Sequence, residues 1–104
     1  MTPEIMMDNI DMYRSRLREE NIQCVRMDVT KKYSSLTRRE MLEHAHYLAD
    51  KIKQNLERRK SWERCIREFT IIQCFLGFIG WYSADDLMRH TAGEQPPHYA
   101  RRTA

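Results

Sequence analysis

Residues 69–83, FTIIQCFLGFIGWYS, contain no charged side chain, although 32% of the residues in this chain are charged. A helix that crosses a lipid bilayer needs roughly 20 consecutive apolar residues. The uncharged run is shorter than that, and Asp85 and Asp86 follow it closely. We therefore expect this segment to form a helix that is buried in a protein core, with no insertion into a membrane.

The spacing of the apolar residues indicates which faces of that helix are buried. One apolar series steps by three and four residues along the whole helix, and a second series begins half-way along it. The pattern predicts a helix over residues 61–82 whose second half is apolar nearly all round. That half needs a cover, either from the N-terminal and C-terminal helices or from a second copy of the chain in a homodimer. The first series is Trp62, Cys65, Phe69, Ile72, Leu76 and Ile79, and the second is Ile71, Phe75, Phe78 and Tyr82.

Capping residues and apolar spacing predict three more helices. Thr2 and Ser83, like Ser61 before the third helix, can each accept a hydrogen bond from the first turn of the helix that follows. Thr37 and Glu40 have the spacing of a capping box, in which each side chain bonds the backbone N–H of the other residue. The three predicted helices span residues 2–21, 35–60 and 83–91.

The chain has only three Gly and three Pro, so a fold of many short strands joined by tight turns is not expected. We predict an all-α fold. Residues 35–60 and 61–82 form a long antiparallel helical hairpin, the N-terminal helix packs across it, and the short C-terminal helix closes one end. The pattern of residues 22–35 does not distinguish strand, helix and loop, and we expect either an irregular linker or a helix extension. Residues 1–92 are expected to form a single helical domain, followed by a flexible tail at residues 93–104.

Gly77 and Gly80 both fall inside the predicted third helix. Glycine in a helix interior costs about 1 kcal/mol relative to alanine, so its presence there needs a reason. We expect both residues to let a neighbouring helix approach closely.

The three cysteines, Cys24, Cys65 and Cys74, are odd in number and contain no CxxC pair. The first 20 residues carry acidic side chains where a secretory signal would be apolar. Both observations favour a cytoplasmic protein with free thiols, which we expect to be buried as small hydrophobic side chains.

Sequence motifs for catalysis, phosphate binding or metal binding are not found. His44 and His46 are two residues apart on a predicted helix, so their side chains point about 200° apart and cannot share one metal ion. We expect no metal site, no cofactor and no enzymatic activity.

A cluster of basic residues around one tryptophan lies where the second and third helices meet. It is either a solvated junction at the end of a helix or a surface that contacts phosphates or an acidic partner. The aromatic residues Phe78, Trp81 and Tyr82, at the end of the third helix, are further candidates for contact with a partner. The cluster, which we call the basic elbow, consists of Arg58, Arg59, Lys60, Trp62, Arg64 and Arg67.

The stretch WERCIREFTIIQCFLGFIGWYSADDLMRHT, about a third of the chain, resembles small helical accessory proteins from early operons of enteric bacteriophages. The resemblance implies a non-enzymatic protein that binds a host protein, and inhibitors of host nucleases or defence systems are one class of this kind. It implies no catalytic residues. The matching positions are Leu76, Gly77, Phe78, Trp81, Ser83, Asp86, Leu87 and His90.

The first functional hypothesis is therefore a small interaction protein that binds and modulates a host protein complex, with inhibition as the favoured outcome. The alternative is a nucleic-acid-binding accessory protein that uses the basic elbow, which a net charge of +3 permits but does not require. A helix–turn–helix arrangement is less favoured, because Asp85 and Asp86 would meet the DNA phosphates.

Overall fold

The computed structural model describes residues 1–94, and the prediction of a flexible tail falls almost entirely outside them. Within this range there are four α-helices, one short 3-10 helix and no β-strand, so the predicted all-α fold is confirmed. Of these helices, none is long and apolar enough to cross a membrane. The helices are α1 (Pro3–Glu19), α2 (Arg38–Glu57), α3 (Trp62–Phe78) and α4 (Ala84–Thr91), and the 3-10 helix is Tyr33–Ser35.

The hairpin of α2 and α3 is the centre of the fold. Only residues 58–61 connect these two helices, and their contact is the most extensive in the molecule. The helix α1 packs against α2 and α4, and α4 also contacts α3. Each of the first three helices contributes an apolar stripe to one core, and Tyr82 joins that core from the turn before α4. The largest wholly buried apolar side chains are Met6, Ile10, Tyr13, Leu17, Ile52, Phe69, Ile72, Phe75 and Leu76.

All four helices begin as predicted, with a hydroxyl side chain that accepts a hydrogen bond from a backbone N–H three residues later. This bond satisfies one of the donors that every helix N-terminus leaves without a partner in the helix. At α2 and α4 the third residue also bonds back to the cap, which completes a capping box. The capping residues are Thr2, Thr37, Ser61 and Ser83, with N···O distances of 3.2, 3.1, 3.4 and 3.0 Å.

All four helices also end in the same way. The backbone turns into the left-handed region one residue past the cap, and two N–H groups bond back to the last carbonyls, which is a Schellman motif. The left-handed residues are Asn21, Arg59, Gly80 and Gly93, with φ of 58°, 53°, 84° and 83°.

The third helix is shorter than predicted, because it stops at Phe78 and not at Tyr82. Gly80 is not inside the helix: its N–H bonds the Gly77 carbonyl at 3.1 Å and the Trp81 N–H bonds the Leu76 carbonyl at 3.0 Å. A Cβ added at Gly80 would meet nothing within 4 Å, so the expected close approach of a helix there is wrong. Gly80 instead ends the helix.

Gly77 does have the role that was expected of it. A Cβ at this position would lie 3.2 Å from Cδ1 of Leu87. The missing side chain therefore lets α4 come close to α3.

The second apolar face of α3 is covered differently from the prediction. Phe75 is buried under Tyr33, whose ring meets it edge-on at a centroid distance of 5.2 Å, and beside His44 at 6.0 Å. This cover comes from the linker and from α2, whereas Phe78 of the same series remains 82% exposed. Tyr82 is covered as predicted, by Tyr13 of α1 and His90 of α4, at 5.5 and 4.9 Å.

Residues 22–36 form a largely irregular strap along α2, which is the first of the two alternatives expected for this segment, and they do not extend a helix. The N–H of Met27 donates to Nδ1 of His44 at 3.1 Å, and Nδ1 of His46 donates to the carbonyl of Ile22 at 2.8 Å. Leu36, at the end of the strap, is buried. The two histidines therefore hold the strap in place, a role that the sequence analysis did not foresee.

Polar side chains also join α1, α3 and α4 inside the core. The hydroxyl of Tyr13 lies 2.8 Å from Nδ1 of His90, and Nδ2 of Asn9 donates to the His90 carbonyl at 2.8 Å. Gln73 of α3 donates to the Tyr13 hydroxyl and to the Leu87 carbonyl, each at 3.3 Å. These bonds fix the position of the short helix α4.

Candidate functional site

The basic elbow begins where α2 ends. The Lys60 N–H bonds the Asn55 carbonyl at 2.8 Å and the Arg59 N–H bonds the Leu56 carbonyl at 3.2 Å, which turns the chain sharply. Ser61 then caps α3. Because both ends of this connection are fixed by hydrogen bonds, the elbow is a defined structure with its basic side chains directed outward.

Arg59 has an unusual backbone for its residue type. Gly and Asn are the residues that most readily adopt the left-handed conformation, and the other three helix ends use one or the other. An ordinary L-residue in this conformation costs roughly 1–2 kcal/mol. Backbone strain of this kind is often found where a side chain is needed for function, so it draws attention to Arg59.

A groove of about 590 Å³ lies between this turn and the start of α1, and we call it the elbow groove. Its apolar surface comes from Met7, Leu56 and Trp62, and the last two also pack against the core. Two acidic residues of α1 line one side, and two basic residues of the elbow line the other. The lining residues are Pro3, Glu4, Met7, Asp8, Leu56, Arg59, Lys60 and Trp62.

The charges of the elbow groove are arranged as two opposed walls. Glu4 and Asp8 stand on the α1 side, and Arg59 and Lys60 stand on the elbow side. Within residues 1–94, none of the ion pairs joins one wall to the other. The side chains of both walls are exposed and can each meet an opposite charge on a partner.

Sequence reasoning found only one side of this site. It identified Arg59, Lys60 and Trp62, but it missed Glu4, Asp8 and the apolar contribution of α1. An acidic pair four residues apart on one helix was visible in the sequence. Nothing in the sequence of α1 indicates that it packs beside the α2–α3 turn, so the acidic pair could not be connected with the basic elbow from the sequence.

The other predicted elbow residues lie away from the groove. Arg58, Arg64 and Arg67 are exposed, but they do not line it. The structure thus divides the six elbow residues into three that line the groove and three on the outer surface.

The aromatic candidates at the end of α3 have three different environments. Phe78 is 82% exposed. Trp81 is half-buried beneath the guanidinium of Arg16, which lies 4.3 Å from the ring centroid and also donates to the Trp81 carbonyl at 3.3 Å. Tyr82 is only 5% exposed and packs as a core residue, and it contributes only a small part of its surface to the groove between α3 and α4.

A second groove, of about 530 Å³, lies between α3 and α4 beside Phe78, and we call it the α3–α4 groove. Gly77 and Leu87 lie in it, and Phe78 and Met88 are its two highly exposed apolar residues. The groove is therefore apolar and open.

The histidines have structural environments. Burial lowers the pKa of His44 and His46, and the nearby Arg26 acts in the same direction on His44. Burial likewise lowers the pKa of His90, against the opposing effect of Asp86. In residues 1–94, no group of three or more His, Cys, Asp or Glu side chains is arranged to hold a metal ion.

The cysteines are free, but they are not all buried as expected. Cys65 lies in the core, where burial raises the pKa of its thiol. Cys24 and Cys74 are exposed. The expectation of a small buried hydrophobic side chain is therefore right for Cys65 and wrong for the other two.

Comparisons with known proteins add no further assignment to these sites: no family model, no curated protein and no solved structure matches this chain.

Proposed function

We propose that this chain is a small non-enzymatic protein-binding protein and that the elbow groove holds a short segment of its partner. The observation that carries the proposal is the arrangement of Glu4 and Asp8 opposite Arg59 and Lys60 across an apolar surface. The left-handed backbone of Arg59 supports it, because a glycine there would form the same turn at lower cost.

The walls define the chemistry of that partner segment. An apolar or aromatic side chain fills the space over Met7, Leu56 and Trp62. Acidic side chains of the segment lie towards the elbow, and basic ones lie towards α1. Charge pairs at the edge of an interface contribute mainly to specificity and orientation, while the buried apolar contact supplies affinity.

Nucleic acid is the second candidate, because the connection and the first turns of α3 expose five basic residues, Arg58, Arg59, Lys60, Arg64 and Arg67. A phosphate backbone that approached the groove would also meet Glu4 and Asp8. For this reason a peptide with charges of both signs fits the groove better than a polyanion. A nucleic-acid complex would weaken steeply with added salt.

The resemblance to phage accessory proteins concerns the identity of the partner. It supports a host protein as the partner and inhibition as the outcome, in the cytoplasm of an infected cell. This part of the proposal depends on the matching residues between Leu76 and His90.

A displayed library of random peptides tests the groove directly. We expect the wild-type protein to select peptides that carry an apolar residue between an acidic and a basic one. The double variant Arg59→Glu with Lys60→Glu should lose the acidic preference. Arg26→Glu with Lys32→Glu, which makes the same charge change on the exposed strap, should select the same peptides as the wild type.

The results that contradict the proposal are equally clear. If the selected peptides have no charge pattern, or if the elbow and strap variants select the same peptides, the elbow groove is not the binding site. If the protein instead shifts short DNA or RNA fragments at low salt, and the elbow variant abolishes that shift, the nucleic-acid alternative replaces it.

A further inference from the structure

The α3–α4 groove is a second surface that shares no lining residue with the elbow groove. Of the described residues that line it, none is charged, although charged residues are frequent in the rest of the chain. Phe78 and Met88 stand at its edge with 82% and 69% of their surfaces exposed. Exposed apolar patches of this kind are typical of protein contact sites.

The shape of the groove follows from the local sequence. Because Gly77 has no side chain, Leu87 of α4 packs close to the α3 backbone, and both residues line the groove. Phe78 is the next residue and the last of α3, and its ring projects into solvent. A projecting ring and a depression of about 530 Å³ therefore lie side by side on one face.

We infer that this face binds a second copy of the chain and forms a two-fold symmetric dimer. A symmetric dimer requires a surface that is complementary to itself, so that each copy offers both the projection and the space that receives it. Phe78 of each copy would enter the groove of the other, beside Gly77 and Leu87. This inference does not depend on the function proposed for the elbow.

The charges next to the groove point to the same occupant. Asp85 and Arg89, on the side of α4 next to Met88, form an ion pair at 2.9 Å, and their side chains remain 69% and 60% exposed. If the two α4 helices run antiparallel across the two-fold axis, Asp85 of each copy faces Arg89 of the other. The second copy thus presents the opposite charges in the required order, which an unrelated apolar partner would do only by chance.

The elbow face outside its groove carries the exposed residues Arg58, Arg64 and Arg67, which all have the same sign of charge. Self-association through the α3–α4 groove therefore avoids repulsion and leaves the elbow of each copy accessible.

Sedimentation velocity over a wide range of protein concentration tests the inference. We expect the wild type to change from monomer to dimer as the concentration rises, and Phe78→Glu to raise the dissociation constant of the dimer at least tenfold. Val29→Glu places the same charge at another exposed apolar residue, on the strap, and should leave the dimer unchanged. Circular dichroism should show the same helix content in all three proteins, because both side chains are mostly exposed.

Mixing two charge variants tests the antiparallel arrangement. Asp85→Arg and Arg89→Asp each place like charges across the axis, so each alone should dimerise several-fold more weakly than the wild type. In an equimolar mixture, every position again faces an opposite charge, and we expect a heterodimer that is tighter than either homodimer. A defect confined to the helix itself would not be repaired by mixing.

Three results overturn the inference. The wild type remains a monomer at every concentration, or Phe78→Glu dimerises as well as Val29→Glu, or the mixture associates no better than its components.

Discussion

The substitution Arg59→Gly separates the effect of Arg59 on folding stability from its effect on peptide binding. Arg59 sits at the left-handed end of the Schellman motif after α2, with φ of 53°. Its side chain is exposed, and none of the hydrogen bonds or ion pairs in the described residues uses its guanidinium. Replacing it by glycine therefore removes the backbone strain without removing a known contact.

The expected change in the free energy of unfolding results from two opposing effects of the glycine. Relief of the left-handed conformation is worth roughly 1–2 kcal/mol, and the greater freedom of glycine in the unfolded chain takes back about 0.4–1 kcal/mol. We expect the free energy of unfolding to rise by roughly 0.5–1 kcal/mol, and the melting temperature to rise by about 2–8 °C for a domain of this size. The side chain on the groove wall is lost, so peptide binding at the elbow should fall.

Arg58→Gly is the matched control, one residue away. Arg58 has φ of −88°, so it carries no left-handed strain, and it does not line the elbow groove. Glycine there should lower stability by about 0.5–1 kcal/mol through the unfolded state and should leave peptide binding intact. The two substitutions thus remove the same charge but change stability in opposite directions, and only Arg59→Gly should weaken peptide binding.

Urea unfolding, followed by far-ultraviolet circular dichroism, measures both changes. The protein concentration must be the same throughout, because any dimer would add to the apparent stability. If Arg59→Gly is less stable than the wild type, the Arg59 side chain contributes more to folding than its backbone costs. In that case the argument that strain at Arg59 is retained for binding is refuted.

Three further measurements test the rest of the fold. Gly80→Ala should lower the free energy of unfolding by roughly 1 kcal/mol, because nothing blocks the new methyl group and only the left-handed backbone resists it; no loss would contradict the assignment of Gly80 as a helix end. Tyr13→Phe removes the hydrogen bond to His90 and should cost about 1–2 kcal/mol in the same assay, whereas wild-type stability would show that this bond does not hold α4. Burial holds the pKa of His44, His46 and His90 below the ordinary 6.5, so the unfolded chain takes up protons first. The stability present above pH 6.5 should therefore be lost as the pH falls through the lowered pKa values, and thermal unfolding at neutral and mildly acid pH would show no difference if this is wrong.

The helices and their starts were predictable because their signals are local. Each capping hydroxyl accepts a hydrogen bond from the backbone N–H only three residues later, so spacing alone identifies the caps, which are Thr2, Thr37, Ser61 and Ser83. The apolar series of α3 repeats over several turns, which makes its face unambiguous. The same spacing predicted the wrong end for α3. The apolar series continues to Tyr82, but the helix ends at Phe78, because Gly80 adopts the left-handed conformation that terminates it.

The contacts that cover the second face of α3 were not predictable in the same way. Phe75 is covered by Tyr33, which is 42 residues earlier in the chain and lies in a segment without regular apolar spacing. The strap that carries Tyr33 is held by His44 and His46. Their spacing excluded a shared metal, but it did not reveal two separate hydrogen bonds to an irregular segment.

The elbow groove has the same kind of origin. Its basic wall is contiguous in sequence and was found, whereas its acidic wall belongs to α1 and comes close only through packing. This matters for function because the basic residues alone are consistent with a polyanion, while the two walls together favour a peptide with charges of both signs. A short basic cluster in a small helical protein therefore does not identify nucleic acid as its partner until the residues packed opposite it are known.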